Sequence, residues 1–546
     1  MEAEADYVIV GAGSAGCVIA NRLSQGAERV VILEAGGSDN DYKLRVPAAA
    51  LKLRGHNVFD WRFVTDKHEE TAGRSFQWTR GKVLGGSSSI NGMNFVRGLP
   101  SDFDDWAASG ADGWSFRDVL PYFKSMERFD GGSDEFRGRM GPLRVASYKT
   151  ILPVTHRLAE AAQQTGFKLF SDLNAATGEG VGYSQMARNG RFRASSARAF
   201  LAPVTARPNL KVETGALALR LLFEGRRCVG VVYRQNGAEK TVHARREVIV
   251  SAGSIGSPHL LQVSGIGAAE HLKSIGVDVV HDLPGVGENL NDHYACTVAQ
   301  KTRNILTLND FVGSWRLAPS AVQWALFASG PFTFGSTTVT IFARSRPDIA
   351  NPDLQFLFMP GIFPRSSASK KELIGIEAVK GIRFSVSAAK PKSRGRLRAR
   401  TSDISEHPSI NPGYLTAQED METLKAGLRL GRRIFSAPAL SPYVYDEVFP
   451  GEAVQSDEEI EIYIRATGHT AYHPAGTCRM GKDPMAVVDP SLRVHGIDGL
   501  RVADASIMPI VTTGNINAPT TMIGEKASDL IRRDVGPTDS RPTAAA

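Results

Sequence analysis

Apolar positions along the chain change period several times, and the first change is the most informative. Tyr7-Val8-Ile9-Val10 is a short, mostly β-branched run that predicts a buried strand. Gly11-Ala12-Gly13-Ser14-Ala15-Gly16 follows at once. Ala15, Val18, Ile19 and Leu23 then recur at helical spacing, and Val30-Val31-Ile32-Leu33 forms a second apolar run ending in Glu34. Strand, GxGxxG turn, helix, strand and a terminal acid 23 residues past the first glycine make up a βαβ dinucleotide-binding unit. The glycines allow the tight turn and close approach to a pyrophosphate. The helix N-terminus faces the phosphates, and Glu34 can accept from the adenosine ribose hydroxyls.

Further on the texture varies. Residues 36–100 are glycine-rich and irregular, ending in Arg80-Gly81-Lys82-Val83-Leu84-Gly85-Gly86-Ser87-Ser88-Ser89-Ile90-Asn91-Gly92-Met93. Residues 209–252 alternate like sheet, and a helix is expected at about 258–264, before Gly265-Ile266-Gly267. Residues 305–450 are richer in aromatics and prolines, around Trp315, Trp324 and Phe327, with a strand-like Leu354–Phe358. A last helix is expected over Pro519–Arg533, with Pro519 in its first turn and Asn517 or Ala518 near its cap. The expected fold is α/β: a Rossmann-like dinucleotide-binding domain assembled from discontinuous segments, plus an α+β substrate-binding domain with an antiparallel sheet. The first takes 1–155, 195–305 and 460–535; the second takes 156–194 and 306–459; 536–546 is expected to be a disordered tail.

At 546 residues the chain exceeds one simple core. Its 42% hydrophobic and 22% charged content is that of an ordinary globular protein. Net charge is +7, and the one dense basic stretch, Lys390–Arg400, reads as a solvated strand pair, with Leu397 and Ala399 between its charges. A nucleic-acid binder would need a more concentrated patch, so no nucleic-acid partner is expected. Cys17, Cys228, Cys296 and Cys478 have neither disulfide-framework nor zinc spacing, so no metal site is expected. No signal peptide and no apolar run of about 18 residues is present, so a cytoplasmic location without stable membrane insertion is expected, peripheral association aside.

Two segments carry candidate chemistry. His473, in Thr470-Ala471-Tyr472-His473-Pro474-Ala475-Gly476-Thr477, sits in a Pro/Gly-bounded turn that would hold it rigidly, as a general base requires; surface histidines in turns are also common. His469 is a rival four residues earlier. Asn517, in Gly514-Asn515-Ile516-Asn517-Ala518-Pro519-Thr520-Thr521, reads either as a helix cap or as a polar group aimed at a substrate oxygen.

These motifs resemble the glucose–methanol–choline (GMC) oxidoreductase family, in particular its bacterial choline-dehydrogenase-like branch. The resemblance rests on GAGSAG with Glu34, on GKVLGGSSSINGM at 81–93, on the segment from Gly253-Ser254-Ile255-Gly256-Ser257-Pro258 through Ser264-Gly265-Ile266-Gly267, and on YHPAGTCRMG with LRVADASIMP and GNINAPT. It runs to about residue 533. It implies FAD and oxidation of an alcohol to an aldehyde or ketone, with His473 as base for the hydroxyl and hydride transfer to flavin N5. Asn517, 44 residues beyond His473, is implied as the substrate-oxygen partner. It implies cofactor contacts from Gly11, Ala12, Gly13, Ser14, Ala15, Gly16, Glu34 and Ala35. Val83, Gly86, Ser87, Asn91 and Gly92 follow, then Ala218 and Ala252, then Asp504 and Ala505.

Two departures bear on function. Ile90 stands where members with covalently tethered flavin carry a histidine, so non-covalent FAD is expected. Thr338 is matched to a glutamate of choline-acting relatives, and no carboxylate occurs between Asp310 and Asp348. Phe332, Phe334 and Tyr472 then suggest an apolar or aromatic pocket, favouring a neutral primary alcohol over choline. Choline dehydrogenase proper and a flavin-containing lyase are the alternatives; a catalytically dead flavin fold is a third, disfavoured by the intact motifs. Oxygen and a quinone are both open as electron acceptors.

Overall fold

A computed structural model describes residues 3–175, 178–312, 314–335, 337–363 and 379–535. The expected tail at 536–546 lies outside the described residues. Two large sheets organise the chain. In the first, β1 (Ala3–Val10) and β2 (Val30–Glu34) pair in parallel, flanking the helix α1 (Gly16–Leu23) in sequence. β3 (Leu210–Thr214) extends the parallel set beyond β2. β4 (Leu217–Glu224), β5 (Arg227–Gln235) and β6 (Ala238–Val250) form an antiparallel meander, and β6 turns back into parallel register with β1, Val8 opposite Val248. The short strand Leu500–Val502 pairs with β6 on its way to the last helix. β2 is buried throughout, as a parallel strand covered on both faces must be.

The turn after β1 explains its glycines. A Cβ on Gly16 would lie 1.9 Å from the Gly11 carbonyl oxygen, and one on Gly11 (φ +100°) would lie 2.5 Å from the Ser251 carbonyl oxygen. Both contacts are backbone, which cannot move aside, so only glycine lets α1 start this close to the sheet. The helix α2 (Gly253–Val263) begins five residues earlier than the sequence suggests. Asp504, some 250 residues away in sequence, accepts from the Gly253 N–H at 2.8 Å and from Ser257 Oγ at 2.5 Å, so the cap is tertiary and invisible locally.

The second sheet is antiparallel. Its order is Val444–Phe449, β7 (Tyr294–Thr302), β10 (Gly381–Ala388), β9 (Leu354–Met359), β8 (Val339–Ala343) and Gly180–Tyr183, with His469–Thr470 also on β7. The helix α3 (Gln418–Phe435) covers one face, burying Met421, Leu424, Leu428 and Phe435 along one stripe. β7 lies before the boundary expected at 305 yet belongs to this sheet, pairing antiparallel with β10 from Ala295 to Lys301. The stretch to Thr470 joins it for the same reason, by pairing with Tyr294. The helix α4 (Asn517–Val535) returns to the first layer and packs on α1, where Arg22 pairs with Glu525 at 2.7 Å.

The basic stretch at 390–400 forms a two-stranded ribbon, Arg396–Arg398 with Ser409–Asn411. Lys390 pairs with Asp105 at 2.8 Å, Arg398 with Glu288 at 2.8 Å and Arg400 with Asp66 at 2.6 Å. The four cysteines are buried and free. No helix among the described residues is long and apolar enough to cross a membrane.

Gly16→Ala is expected to destabilise the protein by about 1–3 kcal/mol through the clash with Gly11, read as a shift in the denaturant midpoint at unchanged slope.

Candidate active site

A cavity of 570 Å³ runs between the two sheets. One half is built by the nucleotide unit. Gly11, Gly13, Ser14, Ala15, Glu34, Ala35, Gly86, Ser87, Asn91, Gly92, Ala218, Ala252, Asp504 and Ala505 all line the cavity, so the structure brings these widely separated motifs together. Ala12, Gly16 and Val83 do not line it. Ala12 is fully buried with its N–H on Glu34, Gly16 is closed off by the Gly11 carbonyl, and Val83 packs in an apolar cluster with Leu44, Leu53, Phe59 and Ile90. These three shape the wall from behind.

This half fits a dinucleotide. A Cβ on Gly13 would meet only the Ser251 carbonyl oxygen, at 3.8 Å, and one on Gly253 nothing within 4 Å, so bare backbone faces open space there. No side chain caps α1 and no acid sits in its first turn, so no side chain competes with a phosphate at its N-terminus. Glu34 accepts from the Ala12 N–H at 3.0 Å and the Gly36 N–H at 2.8 Å. Each oxygen keeps a lone pair for a ribose hydroxyl. Burial raises its pKa to about 7 despite those amide bonds. Asp504, by contrast, spends its carboxylate on the start of α2 and on the Ser506 N–H at 2.8 Å. Ile90 borders this half with an alkyl side chain.

In the other half stands His473, 7% exposed and inside the cavity wall. Its imidazole Nε2 lies 3.0 Å from Nδ2 of Asn515. The structure therefore moves the expected pairing by two residues. Asn517 opens α4 and donates from Nδ2 to Ser14 Oγ at 2.9 Å, on the nucleotide side. Asn515 lies outside the helix, just after Gly514 (φ +117°), and faces the histidine. The spacing of 44 falls on a residue already committed to the helix start; the turn before it is what reaches His473.

A third segment, unmarked in the sequence reading, holds this site. Asn291 pairs its backbone with Ala475 at 3.0 and 2.9 Å and accepts from the Val511 N–H through Oδ1 at 2.8 Å. Asp292 accepts from the His473 N–H at 2.6 Å, from Thr470 Oγ1 at 2.6 Å and from the Tyr414 hydroxyl. His293, fully buried, places Nδ1 2.9 Å from Nδ1 of His473 and Nε2 3.1 Å from the Ala389 carbonyl oxygen. Aspartate and histidine side by side, directly before the strand-like run from Tyr294, were the available signal. Burial first, then the neighbouring His293 ring and the positive charge of Arg80, drive the His473 pKa well below its ordinary 6.5, so the ring is neutral. His469 also lines the cavity, 3.2 Å from Ser385 Oγ.

Aromatic side chains wall the rest: Trp61, Phe311, Phe332, Phe334, Phe363 and Tyr472. Tyr472 has φ +65°, and the Arg54 guanidinium lies 5.2 Å over its ring. Thr338 does not line the cavity; its hydroxyl is buried 3.3 Å from that of Thr155. A carboxylate at that position would not face a substrate, so the sequence argument against choline loses its footing. It fails because Thr338 immediately precedes β8 and turns inward with it.

A GMC oxidoreductase family model in two parts matches residues 5–295 and 391–524. The chain belongs to the GMC oxidoreductase family. It is 43% identical over 532 residues to an oxygen-dependent choline dehydrogenase of Brucella ovis, covering 97% of this chain and 95% of that one. It is 41% identical to the mitochondrial choline dehydrogenase of Homo sapiens, covering 97% and 90%. The solved structure of pyridoxine 4-oxidase from Mesorbium loti superposes with a TM-score of 0.86 at 30% identity, covering 97% of this chain and 99% of that one. This GMC oxidoreductase is an FAD-dependent enzyme acting on alcohols, with the α/β fold expected from its sequence.

Two expectations test the site. Asn515→Ala should slow alcohol oxidation about 10²-fold with FAD retained, whereas Asn517→Ala should act mainly on FAD retention; stopped-flow and the flavin-to-protein absorbance ratio separate them. Glu34→Gln should weaken FAD binding and abolish the apoprotein's loss of stability between pH 5.5 and pH 8. The sign follows from the raised pKa: a carboxylate held up to about 7 adds stability while protonated, and that contribution disappears as pH rises through 7. Melting curves of both apoproteins at pH 5.5 and 8 measure it.

Proposed function

We propose that the protein oxidises a primary alcohol of the choline class to its aldehyde, with His473 as the base and FAD held non-covalently. The observation that carries the reaction is the juxtaposition of a neutral imidazole nitrogen and an amide N–H donor 3.0 Å apart on one cavity wall. An alcohol oxygen drawn up to this pair replaces their mutual hydrogen bond, donating its hydrogen to Nε2 of His473 and accepting from Nδ2 of Asn515. Loss of the hydroxyl proton builds carbonyl character at the carbon, which then releases its hydrogen with the electron pair. Bound FAD supplies the two-electron acceptor for that hydride. Non-covalent attachment is supported by Ile90, which offers no nucleophile.

Near full-length identity to choline dehydrogenases supports the choline class, and the aromatic wall offers faces for a quaternary ammonium. A neutral aromatic alcohol is the second reading. It is favoured by the guanidinium of Arg383 on the wall, with Glu34 and Asp504 the carboxylates among the described lining residues, both on the nucleotide side. Oxygen as final acceptor is the reading to test first, after the name of the Brucella relative.

Anaerobic mixing with choline should bleach the flavin band, and with benzyl alcohol should not; the reverse result installs the second reading. Admitting air then reports whether oxygen restores the band. Bleaching by neither, with cleavage of a cyanohydrin, would replace oxidation by lyase chemistry. His473→Ala should keep FAD and lose alcohol oxidation by about 10²-fold or more. Because the base must be neutral and its pKa is depressed, kcat/KM should stay level from pH 8 to 6.5 and fall only at more acid pH.

A further inference from the structure

His473 has two ring nitrogens, and base catalysis needs the one in the cavity to be without hydrogen. We infer that His293 is a positioning residue that fixes this tautomer by accepting the Nδ1–H of His473. The inference rests on His473 serving as base.

The hydrogen-bond directions follow from one end of the chain of contacts. The Ala389 carbonyl oxygen can only accept, so Nε2 of His293 carries hydrogen. A neutral imidazole carries one, which leaves Nδ1 of His293 with a lone pair. That lone pair lies 2.9 Å from Nδ1 of His473, with the rings near perpendicular at 86°, so Nδ1 of His473 is the donor. Its Nε2 then carries the lone pair that serves as base and that accepts from Nδ2 of Asn515. The far end is compatible with this order. Asn515 Oδ1 accepts from Asn94 Nδ2 at 2.7 Å, which turns the Asn515 amide N–H toward His473. Reversing the order would leave a ring N–H pointing at a ring N–H, or a carbonyl facing a bare lone pair, with no water in reach of a fully buried ring. Burial holds His293 neutral, with its pKa pushed down to about 4.

The arrangement also limits where a proton goes. After the hydroxyl proton reaches Nε2, the positive ring keeps its Nδ1–H on His293. His293 in turn donates only to a carbonyl, which cannot take a proton onward. The proton therefore leaves His473 through Nε2, the way it entered.

Histidine-selective ¹⁵N labelling of the oxidised holoenzyme tests the assignment without turnover. Long-range ¹H–¹⁵N spectra at pH 7.5 should show His473, identified by its loss in His473→Ala, with a pyrrole-type Nδ1 and a pyridine-type Nε2. A pyrrole-type Nε2 would overturn the inference even if alcohol oxidation and its dependence on His473 stand. His293→Asn places an amide oxygen near the former Nδ1 and should keep flavin reduction within about 10-fold of wild type. His293→Leu removes the acceptor and should lose 10²-fold or more in the rate of flavin reduction, with the alcohol Kd changed far less. Equal loss in the two variants, with FAD content and melting temperature preserved, would also overturn it.

Discussion

Everything at the reacting end of this molecule hangs on the seam between Asn291–His293 and Thr470–Ala475. Two backbone hydrogen bonds join Asn291 to Ala475, and one carboxylate, Asp292, gathers the His473 N–H and the hydroxyls of Thr470 and Tyr414. Strand β7 of the antiparallel sheet starts at the next residue but one, Tyr294. A turn that would otherwise be a mobile loop is thereby fixed to a sheet. Burial raises the pKa of Asp292, but three donors and the nearby Arg80 guanidinium offset much of that penalty. The seam places His473 relative to a sheet that supplies the aromatic wall, while Ala505 and Asn517 tie the same region to the nucleotide half.

The two halves of the cavity solve opposite electrostatic problems. On the nucleotide side, carboxylates and phosphates must be tolerated, and the device is backbone: N–H groups at the start of α1, and two amides on Glu34. On the reacting side a base must stay neutral near physiological pH, and the device is burial beside a second neutral imidazole and a guanidinium. Neither device transfers to the other half. Glycine permits the first because Gly13 and Gly253 leave backbone open to the cavity; a closed, hydrogen-bonded cage permits the second.

Motifs whose chemistry is local were legible in the sequence. The βαβ unit and its glycines act through residues adjacent in the chain, and the contacts that forbid a Cβ at Gly11 and Gly16 are the physical content of GxGxxG. His473 was legible from the rigidity of its turn. What escaped were assignments set by partners far away. Whether Asn515 or Asn517 reaches the imidazole depends on where α4 begins, and Asn517 is drawn to Ser14, 503 residues away. The start of α2 depends on Asp504. Thr338 depends on the last residue before β8 turning inward. His293 is adjacent in sequence to nothing catalytic, and only the fold brings it to His473.

That asymmetry also orders the site by how replaceable its parts are. A backbone donor is indifferent to side chain, so the nucleotide half can tolerate change wherever a Cβ has room. The reacting half is a single file, Ala389 to His293 to His473 to Asn515 to Asn94, in which each group has one direction available to it. A change at one member reverses the demand on the next, and a buried donor facing a donor costs about 1–3 kcal/mol. The aromatic wall has no such direction, since faces of rings accommodate a range of shapes. Substrate choice can therefore drift through Phe332, Phe334 or Tyr472 while the proton-handling file stays fixed.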